Sequence, residues 1–391
     1  MSRELFNRSA DLKRLREEGY CVEVVGGCLL MRDVPYVGPD RKIHLGNLVS
    51  ELNVAGEQTR KPSSHQVDFV GESPCDADGK PLKMNDRKIS KKLANGMLAT
   101  HSFSRKPGRP YVDYHEKLTT YAHVLSQHAK VIDASVTAQS LREPTKDEPT
   151  VFKYTETASG RVGIGEVTRR LESDVIAIIG LGGTGSYVLD QVAKTPVREI
   201  RLFDADIFLQ HNAFRAPGAA SLEELRDLMP KVEYFAKKYS AMRQGIVPHT
   251  VALNQSNLHL LDGVTFAFIC MDAGEAKKQI VGKLELLDAS FSDVGMGLDL
   301  VDGSLGGVLR VTSSTPGNRE QMHSGVVSFQ GGGEDDLYAT NIQVADLNAF
   351  NALLAVMQWK KIRRFYRDLK GQHHSTFTVD TGKIAIGEDG K

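Results

Sequence analysis

The stretch that most restricts this chain runs from Val175 to Asp204. Val175-Ile176-Ala177-Ile178-Ile179 is an unbroken apolar run, and Gly180-Leu181-Gly182-Gly183-Thr184-Gly185 follows at once. A short apolar run stopped by glycine reads as a strand buried on both faces. The residues after the glycines form an amphipathic pattern, which predicts a helix through about Lys194. Glycines between a strand and a helix permit a tight turn and close backbone approach, and the helix N-terminus offers unpaired N–H groups to phosphate. A second strand is expected at Glu199–Phe203, with Asp204 at its end, 24 residues after Gly180. That is near the spacing of an acid that bonds a ribose hydroxyl. Gly180, Gly182, Gly183, Gly185 and Asp204 are therefore candidate nucleotide ligands. Asp206 stands two residues on: a second acid here suits a metal-bound triphosphate, or it caps the turn.

A chain of 391 residues divides by a prior of about 150 per domain into two or three domains. Lys plus Arg and Asp plus Glu are both 49, so the formal charge is zero and the global field that recruits nucleic acid or anionic lipid is missing. The four cysteines, Cys21, Cys28, Cys75 and Cys270, lack the spacing of a disulfide scaffold or a structural zinc site. The charged N-terminus does not read as a signal peptide, and no apolar run is long enough to span a bilayer. A cytoplasmic enzyme is expected.

Residues 1–150 read as a smaller α+β domain and residues 151–391 as an α/β domain with a mainly parallel sheet. In the first, the sequence predicts helix over residues 1–20, two strands around Gly26-Gly27, a strand at Val67–Val70 and a helix at Tyr114–His128. A short strand is expected to open residues 129–147. The charged run Met84–Lys92 reads as a solvated face. Cys75, with His65 nearby in sequence, is a candidate thiol nucleophile or an incidental cysteine. The polar run around Pro144 and Pro149 marks the way out.

In the second domain, further strands are expected at Ile246–Val251 and Val264–Cys270, the latter leading into Asp272. In such sheets, ligands lie outside the carboxyl ends of the strands, so topology puts Gly180, Asp204 and Asp272 on one rim. Asp272 there either holds a phosphate-bound cation or caps the next helix. Asn212, Arg215 and Lys231 lie between these strands and carry phosphate-binding chemistry if the fold gathers them. Two or three strands are expected to end near Arg310–Thr312. A long helix is expected from about Asn341 to Leu369, its core stripe being Leu347, Phe350, Leu354 and Met357. The basic-aromatic run at 359–367 reads as that helix's polar face, and His373 and His374 lie in closing strands.

At this point a family resemblance is clear. Residues from about 160 onward resemble the ThiF-type, ubiquitin-activating-enzyme-like adenylyltransferases. The resemblance is carried by GLGGTGS at 180–186, DAD at 204–206, Asn212 and Arg215 in HNAFR, Lys231 after Pro230, Asp272 in MDAG, and the late helix beginning near 341. It implies a Rossmann-like adenylation fold that binds ATP with Mg²⁺ and adenylates the C-terminal carboxylate of a small ubiquitin-like or sulfur-carrier protein, releasing pyrophosphate. By position, Asp204 would hold the ribose, Asn212, Arg215 and Lys231 the phosphates, and Asp272 the magnesium. It also implies a homodimer in which an arginine before the glycine loop reaches the partner's site. Arg161 is the candidate, with Arg169 and Arg170 as rivals. The paired CxxC zinc motifs of many relatives are missing, and no cysteine follows Cys270. A thioester step would then need Cys75 or a separate conjugating enzyme. The first domain would recognise a partner, and bacterial antiviral conjugation systems are a context implied by resemblance. The alternatives are an NAD-dependent oxidoreductase and a non-catalytic nucleotide-binding scaffold subunit.

Overall fold

The computed structural model describes residues 2–84, 86–141, 150–154, 156, 158–159, 164–272, 274–329 and 342–386. The chain divides into two compact units, Met1–Arg169 and Arg170–Lys391.

The first unit is a six-stranded antiparallel sheet with helices. Helices α1 (Ser2–Arg8) and α2 (Ala10–Glu17) precede β1 (Val22–Val25), β2 (Cys28–Val37) and β3 (Ile43–Glu51). Two-residue strands β4 (Val54–Ala55) and β5 (Gln58–Thr59) pair separately, and β6 (Gln66–Val70), β7 (Arg87–Lys92) and β8 (Leu98–Ser104) complete the sheet in the order β1-β2-β3-β6-β8-β7. Helix α3 (Tyr114–Ile132) starts at Asp113, whose carboxylate accepts from Glu116 N, and buries Leu118, Tyr121 and Leu125 against the sheet.

One expectation is corrected here, and two strands are added. The strand expected to open residues 129–147 is instead the last turn of α3, because Ala129-Lys130-Val131-Ile132 holds no helix breaker. The charged run at 84–92 is largely exposed, as expected, and contains the edge strand β7, where lysines discourage pairing with other chains. Strand β3 was hidden by Gly46, which is there because a Cβ would strike the Phe69 ring. The exit run at 142–149 lies outside the described residues. A short helix, α4 (Gly165–Arg169), is tied to this unit through the Lys92–Glu166 ion pair.

The second unit is built on an eight-stranded sheet. Its parallel part runs β11 (Ile246–His249), β10 (Glu199–Phe203), β9 (Val175–Ile179), β12 (Phe266–Ile269) and β13 (Ser290–Val301). An antiparallel extension of β14 (Ser304–Ser314), β15 (His374–Thr378) and β16 (Lys383–Ile386) follows. Pro248 is tolerated because β11 is an edge strand. Ile176 and Ile178 face a core with helices α5 (Gly183–Ala193), α8 (Lys231–Ser240) and α11 (Ala345–Ile362). Val175, Ala177 and Ile179 face the core of α9 (Glu275–Leu286). Both faces of β9 are covered, which is why it has no polar alternation. Short helices α6 (Gln210–Ala213) and α7 (Leu222–Arg226) link β10 to α8, and α10 (Glu320–His323) follows β14.

Helix α11 is shorter than expected and rotated. It ends at Ile362, and its buried face carries Asn348, Asn351, Ala352, Ala355, Val356 and Trp359. Leu347, Phe350 and Leu354 are only half-buried and Met357 is exposed, because small residues let α11 approach α5 closely. The run at 359–367 is likewise no polar face, since Trp359 is fully buried. Its Nε1 donates to Asp174 Oδ2 at 3.0 Å, and Arg363 Nε donates to the same oxygen at 2.9 Å. Thr265 Oγ1 donates to Asp174 Oδ1 at 2.7 Å. Removing this buried acceptor strands an arginine and an indole. Asp174→Ala is expected to destabilise the chain by about 3 kcal/mol, read as a lower urea midpoint; an unchanged midpoint would remove Asp174 from its place at the centre of this network.

Candidate nucleotide site

The register of the sheet makes the rim. Ile179 pairs with Phe203 on one side and Ile269 on the other, and Phe203 pairs with His249, so four parallel strands end level. The next residues, Gly180, Asp204 and Cys270, therefore lie along one edge.

Three of the glycines are required by packing. Gly180 has φ +89°, and a Cβ on it would press on the Cys270 carbonyl. A Cβ on Gly185 would collide with the Gly180 carbonyl, and one on Gly183 with the Asn348 side chain. Gly182 differs: a Cβ there meets nothing within 4 Å. It is also the N-cap of α5, with no side-chain cap. The first amides of a helix lack helical acceptors, so this is an uncapped donor surface facing open space.

Asp204 ties the loop down before any ligand arrives. Its Oδ2 accepts from Leu181 N at 2.7 Å and its Oδ1 from Asp206 N at 2.9 Å. Each oxygen keeps a second lone pair. Lys231, nearly buried at the start of α8, lies 2.6 Å from Asp206 Oδ2 and 3.5 Å from Asp204 Oδ1. Asp206 thus serves as an exposed partner of Lys231 rather than as a simple turn cap.

Two donors on the segment between β10 and α8 are orphaned among the described residues. Asn212 Oδ1 accepts from Leu209 N at 2.8 Å, but its Nδ2 is buried without a partner among the described residues. Arg215 Nε is buried and unpartnered in the same sense. Burial lowers the Arg215 pKa, while Asp272 is close enough for its charge to act in the opposite direction. Asp272 is exposed and lines a cavity of about 400 Å³ with Gly182, Gly183, Lys277, Gly297 and Arg310.

The fold thus brings Gly182, Asp204, Asp206 and Lys231 together at one rim, and Arg215 into electrostatic reach of Asp272. Arg161 lies outside the described residues. Of its rivals, the Arg169 guanidinium donates to the Ala94 carbonyl and that of Arg170 to the Arg364 carbonyl. Cys75 is 1% exposed, its thiol donates to the Ser73 carbonyl, and burial raises its pKa. His65 instead pairs with Ser104 at 2.9 Å, so no Cys75–His65 dyad forms. Burial pushes Cys270, on the cavity wall, up to about 12. His374 pairs with Thr312 Oγ1 at 2.9 Å. Among the described residues, no group of three or more His, Cys, Asp or Glu side chains is placed to hold a metal, and no helix is long and apolar enough to cross a membrane.

The sequence reading missed Lys277, Asp293, Arg310, Asn348 and Asn351. Asn348 and Asn351 were legible in principle, as two amides one turn apart in an otherwise apolar segment. Asn348 Oδ1 accepts from Thr184 Oγ1 at 2.9 Å, and Asn351 Nδ2 donates to the Gly295 carbonyl at 2.9 Å. Helix α11 thereby links the glycine loop to β13.

Residues 158–363 match the ThiF family, and residues 10–157 match a domain of unknown function (DUF6791). The chain is 22% identical over 156 residues to ubiquitin-like modifier-activating enzyme 5 of Xenopus laevis, covering 37% of this chain and 39% of that protein. Against the same-named enzyme of Branchiostoma floridae it is 26% identical over 131 residues, covering 31% and 32%. The chain therefore spans well under half the length of these curated relatives. The crystal structure of E. coli MccB aligns over 78% of this chain and 91% of that one, at 14% identity and a TM-score of 0.45.

The two kinds of glycine are expected to separate on substitution. Ala at position 185 gains about 1 kcal/mol of helix propensity, but the immovable carbonyl costs roughly 1–3 kcal/mol or more. Gly185→Ala should therefore lower the melting temperature, whereas Gly182→Ala should leave it unchanged; equal effects would mean the loop is not packed as described. The raised thiol pKa values predict little thiolate at pH 8. Cys75 and Cys270 should react with iodoacetamide roughly 100-fold slower in the folded than in the unfolded chain, and rapid alkylation of Cys75 would restore it as a nucleophile.

Proposed function

Because the chain belongs to the ThiF family, we propose that its second unit binds ATP with Mg²⁺ and transfers adenylate to the C-terminal carboxylate of a small ubiquitin-like or sulfur-carrier protein. The observation that carries this reading is the pair of buried donors without partners among the described residues, Asn212 Nδ2 and Arg215 Nε, the latter within electrostatic reach of Asp272. Buried donors without acceptors are costly, and phosphate oxygens would satisfy them. The open space at Gly182 admits a phosphate against backbone amides.

In the proposed reaction, a carboxylate oxygen attacks the α-phosphorus and forms an acyl–O–P bond. The P–O bond to the β-phosphate breaks, and its electron pair leaves with pyrophosphate. The nucleophile is already an anion, so no general base is needed. What the chain must supply is positive potential where two anions meet. Lys231, Arg215 and the α5 amides would supply it on the phosphates, with Lys231 exchanging Asp206 for a phosphate oxygen. Asp204, whose oxygens keep free lone pairs, would accept from a ribose hydroxyl. Asp272 would hold Mg²⁺, which would neutralise charge on the leaving pyrophosphate. Magnesium is usually held by one or two carboxylates together with phosphates and waters, so a single rim acid suits it.

With Cys75 and Cys270 both poor thiolates, the chain would stop at the acyl-adenylate and pass it to a separate conjugating protein. The first unit would recognise a partner. A homodimer with Arg161 reaching the partner's site belongs to the same reading.

Titration calorimetry with ATP and Mg²⁺ tests the nucleotide part. Arg215→Ala and Lys231→Ala are each expected to weaken ATP binding by about tenfold or more, and Asp272→Ala to abolish its dependence on Mg²⁺. Tight binding of NAD⁺ with none of ATP would overturn the adenylation reading in favour of a hydride-transfer enzyme.

A further inference from the structure

The zero net charge of the chain hides a local excess in the first unit. Arg60-Lys61-Pro62 and Arg105-Lys106-Pro107 repeat one triplet, and the fold brings the two copies together. The first stands before β6 and the second after β8, and these strands pair antiparallel with Gln66 opposite Ser104. Both loops therefore leave the sheet at the same end, from neighbouring strands about 4.8 Å apart. Lys83 joins them there, because Ser104 N donates to the Met84 carbonyl at 3.3 Å.

A single buried hydroxyl fixes both loops. Tyr121 of α3 is 0% exposed, and its hydroxyl donates to the His65 carbonyl at 2.6 Å while accepting from Arg105 N at 2.8 Å. Asn53 holds the other end of the first loop. Its carbonyl accepts from Arg60 N at 2.8 Å, and its Nδ2 donates to the Lys61 carbonyl at 3.2 Å. The prolines at 62 and 107 bias Lys61 and Lys106 towards extended backbone. Loops set in advance in this way lose little conformational freedom when they bind.

Three acids nearby are already occupied. Glu51, the last residue of β3, takes the buried Lys117 ammonium at 2.8 Å and accepts from Ser64 N at 3.0 Å. Asp86 pairs with His101 Nδ1 at 2.8 Å, and Glu116 with Arg109 at 2.7 Å. Arg60, Lys61, Lys83, Arg105 and Lys106 are all exposed, and none of them makes an ion pair among the described residues. Five uncompensated cations at one sheet end create a strong local positive potential.

The composition of the loops selects the kind of anion. Residues 60–65 and 105–110, RKPSSH and RKPGRP, hold no Phe, Tyr or Trp and no large apolar side chain. A protein interface is centred on such side chains, and a single-stranded nucleic acid stacks its bases on aromatic ones. A lasting hold on an anionic membrane takes a lipid or apolar signal beside the basic one. A duplex asks only for phosphate contacts. We propose that the Arg60–Lys61 and Arg105–Lys106 loops, with Lys83, bind the phosphate backbone of double-stranded nucleic acid without reading its sequence.

The test measures binding of the full chain to fluorescein-labelled DNA and RNA duplexes of about 20 base pairs by anisotropy over a range of salt concentrations. Binding to either duplex, or to both, is the expected result. Affinity should fall with salt on a log–log slope of about −4.5, five phosphate contacts contributing roughly −0.9 each. Lys61→Gln and Lys106→Gln, both at exposed side chains, should each flatten that slope by about 1 with an unchanged melting temperature. Lys370→Gln, at an exposed lysine of the second unit, should leave the slope as it is. Wild-type slopes in the Lys61 and Lys106 variants, or an equal change in the Lys370 variant, would move the contact elsewhere and overturn the assignment. It is equally overturned if neither duplex binds. Tighter binding of the single strand of the same length, of a poly-glutamate peptide or of phosphatidylserine vesicles would give the loops to another partner and overturn the duplex.

Discussion

The second unit depends on how closely its backbone can be packed at the end of β9. Gly180, Gly183 and Gly185 each sit where a Cβ would strike a carbonyl or the Asn348 amide. Their absence of side chains lets α5 start directly above the strand, with Asp204 accepting from Leu181 N to hold the turn. Because α5 begins there, its free amides point outward over Gly182. The donor surface is thus a consequence of packing, and ligand chemistry comes second to it.

Around this point the charges fall into two groups on opposite sides of β9. On the β10 side, Lys231 is shared between Asp204 and Asp206, while Asn212 and Arg215 keep donors without partners among the described residues. On the β13 side, Asp293 holds Lys277 and Arg310. Asp272 stands between them at the end of β12, and its charge reaches Arg215. The structure thus places cations on both sides of β9, each set held by carboxylates. Helix α11 couples the halves mechanically, since Asn348 binds Thr184 and Asn351 binds Gly295.

Much of the nucleotide side was legible because it is local. A strand, a glycine loop, a helix and an acid 24 residues on are consecutive in the chain, and strand-end position follows from an α/β order. The other side was not, because its members are held by pairing between distant segments. Asp293 and Arg310 meet only through the β13–β14 register, and nothing in the run from Ser290 to Ser314 marks either as a site. The face of α11 was misjudged for a related reason. Its large apolar residues read as a core stripe, yet the helix packs through Ala352, Ala355 and two asparagines, since close approach needs small side chains.

Local sequence determined where the chain must turn, which strand is buried on both faces, and which residues end the central strands, because backbone sterics and apolar runs act over a few residues. Tertiary structure decided which donors are left without partners among the described residues, that Cys75 is sealed away from solvent, and that two cations share one buried carboxylate. Those are properties of burial and of pairing across the sheet, and burial exists only once the layers have come together.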